Sequence, residues 1–406
     1  MNGNTERENK GAHMKFGQIR QVKIYYLLVA IRFLGLSFIF ATQTNYLLSM
    51  GLEQFGANML NAIFFLALFL FEVPTGIFAD TYGRKASVVT AFAFHTIGGA
   101  VYAVAGSFAG FAIAEILFAI GFTFVSGALD AWLIDGLKEQ GVDKVPAKIF
   151  AKAQTFGQIT TIVGAIIGSY LYVLKPNLPW LVSTVVYMLS GITAFMIMQE
   201  PVVKQAQHKG LNAMRETARV SFQFAKEHRI YRYILLLGSI QFFFMVPANM
   251  FWQPWFTRAL GTSNLGYLWA AMMLSLALGG YAARHSKIEV RAEGLVLMLA
   301  QALVGVGIVL WALPGMIAIT IIPFLLHEVG RGLYWPVKAA YLNHHLPNRE
   351  RATLLSFDSQ VNHLAGFAGL VLSGLLVGPI GYGLTLGLFG AGMVAASITI
   401  YKVYKP

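Results

Sequence analysis

The stretch that decides the fold is Gly76-Ile77-Phe78-Ala79-Asp80-Thr81-Tyr82-Gly83-Arg84-Lys85. A long apolar segment reaches this short charged turn, and another apolar segment leaves it at once. The glycines at 76 and 83 permit a tight reversal of the chain, and Asp80, Arg84 and Lys85 fall where hydrocarbon gives way to water. Two interpretations are open. The turn is either a positively charged loop that only sets the orientation of two membrane spans, or a hinge whose ion pairs open and close as two halves of the protein rock.

The composition of the surrounding chain indicates a membrane protein. Of its 406 residues, 57% are hydrophobic and 12% are charged, and the mean hydropathy is +0.62. Apolar runs longer than about 18 residues are typical of membrane helices. Because backbone groups in lipid must be satisfied within the segment, the runs predict an all-α membrane protein. Cysteine is absent, which excludes disulfides, thiolate catalysis and cysteine-ligated metal.

The hydropathy pattern predicts twelve transmembrane helices in two six-helix, pseudo-symmetric halves. Such a repeat is the architecture expected for alternating access. Residues 1–19 form a polar N-terminal segment in which Gly11–Met14 resembles a cloning scar, 20–199 the first half, 200–229 an amphipathic cytoplasmic linker, and 230–406 the second half. Numbered from one to twelve, the predicted spans are 24–51, 55–79, 86–107, 109–136, 152–174, 178–199, 230–258, 264–284, 290–311, 315–344, 353–378 and 380–403.

The net charge of +12 is explained by topology rather than by a nucleic-acid partner. All but five of the 30 Lys and Arg residues lie in one set of alternate loops or in the termini; the exceptions are Arg32, Lys175, Arg258, Arg331 and Lys338. Cytoplasmic loops carry such an excess. We therefore expect a multi-pass protein of the bacterial cytoplasmic (inner) membrane, with both termini cytoplasmic.

Residues 76–85 match the loop motif Gly-x-x-x-Asp-x-x-Gly-Arg-Lys between spans two and three, so the chain resembles the major facilitator superfamily of 12-span secondary transporters. The resemblance implies an inner gate built from this loop. Asp80 would face the start of span eleven, from Leu354 to Asp358, and Arg84 would reach Asp130 or Asp135. The gating residues so implied are Gly76, Asp80, Gly83, Arg84, Lys85, Asp130, Asp135 and Asp358.

Two short segments, residues 72–75 and 126–131, resemble a bacterial branch of the family that contains many efflux proteins. Two antiporter features are missing. The arginine common in span four of drug-proton antiporters is absent, and Gly164–Gly168 in span five has small-residue packing spacing without the antiporter proline. These departures weaken an assignment as a drug antiporter.

Charged side chains inside a membrane are costly and mark candidate sites. Arg32 and Glu72 lie at similar depths, about 10–12 Å from the cytoplasmic surface, so we expect them to pair. The pair would be a static link between two helices or a substrate- or proton-linked switch. The same depth argument pairs Lys338 with Asp358 on spans ten and eleven.

A mid-membrane cluster is predicted on span ten. Glu328 and Arg331 share a helix face and partly neutralise each other, and His327 lies beside them, with His363 on span eleven as a second imidazole. Each histidine is either a hydrogen-bonded core residue or a contact for substrate or protons. No spacing typical of a metal site supports metal binding. Glu115 on span four has no evident partner at its depth, so it is a candidate for proton coupling.

Other side chains suit a solute. Span seven combines amides and aromatic rings with two prolines, which predicts a kinked helix that contacts an amphipathic or aromatic molecule. Trp255 on that span is better explained by an outer aromatic belt. The substrate-binding candidates are Arg32, Gln43, Glu72, Gln158, Gln241, Asn249, His327, Arg331 and His363, and the proton-coupling candidates are Glu115, Glu328 and Asp358.

The sequence has no Walker loop, nucleophile elbow or metal box, so we expect neither an enzyme nor a cofactor. The prediction is a monomeric, bilayer-embedded secondary transporter of a small organic solute, coupled to protons, with export favoured. One alternative is import or uniport of an anionic metabolite or siderophore through a cavity made positive by Arg32, Arg331 and Lys338. Another is a lipid translocase or a non-transporting receptor.

Overall fold

A computed structural model describes residues 19–142, 145–201, 219, 221–313, 315, 317–347 and 351–404. Over these residues the chain is helical and has no strands, which confirms the all-α prediction. Most of the predicted linker, residues 200–229, lies outside the described residues. Its residues 221–227 are helical. The α-helices are Arg20–Phe40, Gln43–Ser49, Gln54–Tyr82, Arg84–Val104, Phe108–Val125, Ala128–Glu139, Ala147–Leu174, Leu178–Ile197, Arg229–Ile240, Val246–Leu260, Leu265–His285, Glu293–Trp311, Ile317–His345 and Arg351–Tyr404.

Ten segments of the described chain are long and apolar enough to cross a membrane. The last helix has 54 residues and turns at Gly381, where φ is +76°. Its length of about 80 Å at 1.5 Å per residue exceeds one hydrocarbon core, so it accounts for two crossings. Ile317–His345 is not among the ten segments, and it carries the charged residues predicted for span ten. Its 29 residues are long enough for one crossing. The helices are therefore compatible with twelve spans.

Among the described residues, spans one and four are interrupted, and span seven contains a change of helix type. Span one breaks between Phe40 and Gln43, and span four breaks at Gly127, where φ is +71°. Span seven contains a π-helical turn over Gln241–Met245. Such turns recur at functional sites, and each interruption frees backbone groups that other helices must satisfy.

Small residues bring the helices of each half together. Gly164 and Gly168 of span five lie against Ser37 and the backbone of Phe38 in span one, so a Cβ at either glycine would collide. This contact confirms the packing role read from their spacing. Gly279 of span eight meets the backbone of span ten in the same way. Close backbone approach at small residues is the usual way in which membrane helices associate.

Within the described residues, side-chain hydrogen bonds join the two halves at the end of the bundle opposite the loop motif. We call this end the far end, and the end that carries Gly76–Lys85 the motif end. At the far end, Asn58 of span two donates to Ser373 of span eleven at 2.9 Å. Gln54 accepts from the Tyr382 hydroxyl at 2.9 Å and donates to the Met250 carbonyl at 3.2 Å. These neutral hydrogen bonds join the two halves across the far end.

Candidate substrate and coupling sites

The loop motif forms a charged cluster at the motif end. Arg84 pairs with Asp80 at 2.8 Å, and its Nε lies 3.8 Å from Asp135. The expectation that Arg84 reaches Asp130 or Asp135 is therefore confirmed for Asp135, whereas Asp130 accepts from the Tyr25 hydroxyl at 2.6 Å.

The expected contact between Asp80 and the start of span eleven is not made in this conformation. The Asp80 side chain is 49% exposed. Within the described residues, its ion pair is with Arg84 and not with the segment from Leu354 to Asp358. An inner gate formed by Asp80 is accordingly not closed here.

Sequence reasoning missed Glu200, the partner of the loop at the end of span six. Its two carboxylate oxygens accept from the backbone N–H groups of Arg84 and Lys85 at 2.6 and 2.7 Å. The first N–H groups of a helix have no partner within the helix, and a carboxylate there also complements the helix dipole. Gly83 adopts φ +100°, and a Cβ at this position would lie 2.5 Å from the Glu200 carboxyl carbon. The glycine is thus required by both conformation and space.

Glu72 pairs with His363 and not with Arg32, so the expected Arg32–Glu72 pair is wrong. Glu72 Oε2 of span two lies 3.6 Å from His363 Nδ1 of span eleven, and neither atom has a hydrogen-bond partner within the described chain. Arg32 instead lies over the rings of Phe33 and Phe122, 5.7 and 5.8 Å from their centroids. Glu72 is turned toward span eleven, in the other half of the protein.

Aromatic rings from both halves surround this pair. Phe65 lies 6.0 Å from the His363 ring, and Phe242 lies 6.4 Å from it. Phe65 and Phe242 are 6.2 Å apart, and Trp335, which is 41% exposed, lies 6.3 Å from Phe242. A carboxyl group, an imidazole and several aromatic rings therefore lie together between the two halves. We call this group the central site; it consists of Phe65, Glu72, Phe242, Trp335 and His363.

Gln241 directly precedes the central site on the π-helical turn. It is 2% exposed, and its amide oxygen and nitrogen both lack partners within the described residues. Buried polar groups are normally hydrogen-bonded, so Gln241 is a strong candidate for contact with a ligand. Asn249, further along span seven, is half-buried, with its amide 3.9 Å from Met245 Sδ. Gln158 is exposed on span five and is not brought into the central site by any contact described here.

The span-ten cluster forms as predicted. Arg331 Nη1 donates to Glu328 Oε1 at 2.6 Å, and His327 Nε2 lies 3.2 Å from the same oxygen. His327 Nδ1 contacts the Phe324 carbonyl, and Glu328 is fully buried. His363 does not join this cluster but faces Glu72. The cluster is electrically compensated, because the carboxylate has a cation beside it.

The predicted Lys338–Asp358 pair is also confirmed. Lys338 Nζ donates to Asp358 Oδ2 at 2.7 Å, and Asn362 Nδ2 donates to the same oxygen at 3.2 Å. Lys338 is 3% exposed and Asp358 7%. Both residues belong to the second half, so the pair links spans ten and eleven within one half.

Glu115 is buried among neutral groups, contrary to the expectation that it lacks a partner. Its Oε1 accepts from Gln43 Nε2 at 3.2 Å and from the Tyr102 hydroxyl at 3.1 Å. Gln43, a substrate-binding candidate, is therefore committed to Glu115. Among the described residues no cation pairs with Glu115, which distinguishes it from Glu328 and Asp358. No group of three or more metal-ligating side chains occurs in the described part of the chain.

Comparisons with known proteins agree with this architecture. The family model described as Major Facilitator Superfamily matches residues 25–369. The chain is 28% identical over 380 residues to YxaM, an uncharacterized MFS-type transporter of Bacillus subtilis (strain 168), and the match covers 88% of this chain and 89% of that protein.

Solved structures show the same fold. The nucleoside transporter NupG has a TM-score of 0.78 at 13% identity, with 95% of this chain and 99% of that chain covered. The inward-open xylose transporter XylE from E. coli has a TM-score of 0.69 at 15% identity, with 95% and 96% covered. At such identities the similarity concerns the fold alone. The loop motif, the helical bundle and the family match together establish that the chain belongs to the major facilitator superfamily and is a multi-pass membrane transporter rather than an enzyme.

Proposed function

We propose that this transporter moves a small amphipathic, aromatic organic solute by alternating access, coupled to protons and in the direction of export. The observation that carries the proposal is the central site. Glu72 and Phe65 come from the first half, and His363, Phe242 and Trp335 from the second. A solute bound there touches both halves, so its binding energy can bias their relative orientation, as alternating access requires.

The chemistry of the central site favours a solute with an aromatic ring and a polar group. Ring pairs add about 0.5–1.5 kcal/mol beyond their buried area. The Glu72–His363 pair provides hydrogen-bonding groups beside the rings. The unpartnered amide of Gln241 directly precedes Phe242 in the chain. These polar groups would fix the orientation of a solute in an otherwise apolar site.

Proton coupling is proposed for Glu115 in particular. Of the three carboxylates predicted for this role, Glu328 is paired with Arg331, and Asp358 with Lys338. Within the described residues, Glu115 is hydrogen-bonded to an amide and a hydroxyl and to no cation. A buried carboxylate without a cation is the group whose charge state is most sensitive to access by water.

The orientation and the direction of transport belong to this proposal as well. The positive-inside distribution supports cytoplasmic termini in the bacterial inner membrane, which places the motif end inside and the far end outside. Export rests on the resemblance of residues 72–75 and 126–131 to an efflux-containing branch.

Arg32 supports a second candidate, transport of an anionic metabolite. It lies over two aromatic rings and has no carboxylate at ion-pair distance within the described chain. Arg331 and Lys338 support an anion site less well, because Glu328 and Asp358 neutralise them.

Flux into proteoliposomes separates the two candidates. Purified protein would be reconstituted with a pH gradient of either sign and tested with ethidium, an aromatic cation, and with radiolabelled salicylate, an aromatic anion. We expect ethidium movement that follows the pH gradient and is lost in Glu72→Gln. Gradient-independent salicylate flux that is lost in Arg32→Gln would favour the anion candidate and refute the main proposal.

A further inference from the structure

Span one is interrupted where it meets the other half of the protein. Its main helix ends at Phe40, and a short helix begins at Gln43. At such a break, carbonyl groups of the first helix and N–H groups of the second have no partner within their own helices. The interruption is buried, with Thr42 and Thr44 both 1% exposed. Its backbone groups must therefore be satisfied from elsewhere.

Gln253, on span seven of the opposite half, satisfies three of them. Its Oε1 accepts from the N–H groups of Thr44 at 2.8 Å and Asn45 at 3.4 Å, and its Nε2 donates to the Phe40 carbonyl at 2.9 Å. Gln253 is 3% exposed. One amide side chain thus forms hydrogen bonds with backbone groups on both sides of the break. Any movement that opens the far end must break the hydrogen bonds between Gln253 and span one.

The residue at the start of the short helix faces the other way, into its own half. Gln43 Nε2 donates to Glu115 Oε1, which also accepts from Tyr102. Behind Tyr102, the Tyr46 hydroxyl donates to the Tyr102 carbonyl at 3.3 Å. The titratable groups that face Glu115 are thus Tyr102 from span three, with Tyr46 from the short helix behind it. Within the described residues, Oε2 of Glu115 accepts no hydrogen bond, which leaves one oxygen for a proton.

We propose that the interruption of span one, residues 41–45, couples a proton on Glu115 to closure of the far end, with Gln43 and Gln253 as positioning residues. The proposal rests on the proton coupling proposed above. In this conformation the far end is closed and Glu115 is 3% exposed. An ionised carboxylate buried among neutral groups is unfavourable, so far-end closure and the protonated form of Glu115 stabilise each other. Because such coupling is reciprocal, protonation also favours closure.

The role of Gln43 is to hold the interruption in the position that Gln253 recognises. Gln43 lies next to Thr44 in the chain. A change in its hydrogen bond to Glu115 therefore shifts the N–H groups of Thr44 and Asn45, from which Gln253 accepts. Without Gln43, the far end still closes through Gln253, but closure no longer depends on the charge of Glu115. Without Gln253, the break is left with unsatisfied buried groups whatever that charge is.

The experiment measures far-end opening by pulsed electron-spin resonance between two nitroxide labels. The chain has no cysteine, so Gly106→Cys and Leu313→Cys can be labelled without further changes. Gly106 has open space around its Cα, and Leu313 is 52% exposed. They lie at the far ends of opposite halves. Distance distributions would be recorded in lipid nanodiscs across a pH series, with monodispersity by size-exclusion chromatography as the folding control.

In the otherwise unchanged protein, we expect the far-end-closed population to increase as the pH falls. Glu115→Gln should hold the population near its low-pH value at every pH. Gln43→Ala should close at a level that does not vary with pH; if it does not purify as a monodisperse protein, Gln43→Leu takes its place. Gln253→Ala should lower the closed-to-open ratio by about fivefold or more at every pH, because it leaves buried backbone groups unsatisfied.

Asn58→Ala is the matched control. It removes a far-end hydrogen bond, the one from Asn58 to Ser373, that does not involve the interruption. It should lower the closed population while keeping the pH response. A full pH response of the closed population in Gln43→Ala would overturn the proposed coupling even where flux is proton-driven. So would a Gln253→Ala variant whose closed-to-open ratio falls no further than that of Asn58→Ala. If neither the flux nor the label distances of the starting protein respond to pH, proton coupling itself fails.

Discussion

Replacing Lys338 by methionine should destabilise the protein strongly, although the same change combined with Asp358→Asn should not. Lys338 and Asp358 are 3% and 7% exposed and 2.7 Å apart. Removing the ammonium leaves the carboxylate with Asn362 as its remaining donor within the described residues. Breaking a buried ion pair on one side costs about 3–5 kcal/mol, whereas replacing both partners by neutral groups is often nearly neutral.

The expected loss differs between the two single variants. Asp358→Asn leaves an ammonium that still lies 5.8 Å from the centre of the Trp335 ring, and such a contact is worth about 0.5–2 kcal/mol. Lys338→Met leaves a carboxylate with no cation. We therefore expect Lys338→Met to be the more damaging variant, and the double variant to lie within about 1 kcal/mol of the starting protein.

A double-mutant cycle measures the coupling directly. Reversible unfolding of the detergent-purified protein by sodium dodecyl sulfate, followed by tryptophan fluorescence, gives the free energy of unfolding for each variant. The control is Arg291→Met, which breaks an equally short ion pair with Glu289 whose side chains are 86% and 64% exposed. That pair should contribute less than about 1 kcal/mol. Additive losses in the double variant, or an equal loss in the exposed control, would refute the reasoning.

Three further changes test the loop motif and the central site. Gly83→Ala should lower the melting temperature by an amount equivalent to more than about 1 kcal/mol, because φ is +100° and Glu200 occupies the space of a Cβ; Gly76→Ala, with open space around it, should change it little. Asp80→Asn should reduce transport at least about threefold with near-normal stability, since its pair is exposed and worth at most about 1 kcal/mol; unchanged flux with normal expression would return the stretch to a topological loop. His363→Gln should weaken ethidium flux about two- to tenfold, because it removes one ring from the central site, whereas Glu53→Gln at the exposed far end should not.

Depth along a helix was predictable from the sequence, but rotation about the helix axis was not. Lys338 and Asp358 lie on spans that are consecutive in the chain and pack in the same half, so equal depth was sufficient to pair them. Arg32 and Glu72 were also predicted to lie at similar depth, yet Glu72 faces span eleven. Hydrophobicity on all sides of these helices leaves no polar stripe from which the direction of a side chain could be inferred.

The partners of Glu115 and of the backbone N–H groups of Arg84 and Lys85 were missed for a different reason. Gln43 reaches Glu115 only because span one is interrupted at Thr42, and neither glycine nor proline marks that position. Glu200 was assigned to the polar linker, although it caps the helix that begins at Arg84. In both cases the decisive contact joins segments that are distant in the chain, for which a single sequence carries no local signal.

Buried ion pairs lie within one half, whereas neutral hydrogen bonds join the two halves at the far end. This distribution suits a transporter whose halves rock against each other. Within the described chain, the strong buried ion pairs Glu328–Arg331 and Lys338–Asp358 lie inside one half. The far-end contacts that must separate are neutral hydrogen bonds, such as those of Gln253 and Asn58. A neutral hydrogen bond contributes about 1 kcal/mol and is replaced by water on opening, whereas breaking a buried ion pair costs several. Glu72–His363 is a carboxyl–imidazole contact of 3.6 Å that crosses between the halves, and it lies at the central site. A solute bound as proposed would replace one of its partners, so this contact between the halves would depend on the solute.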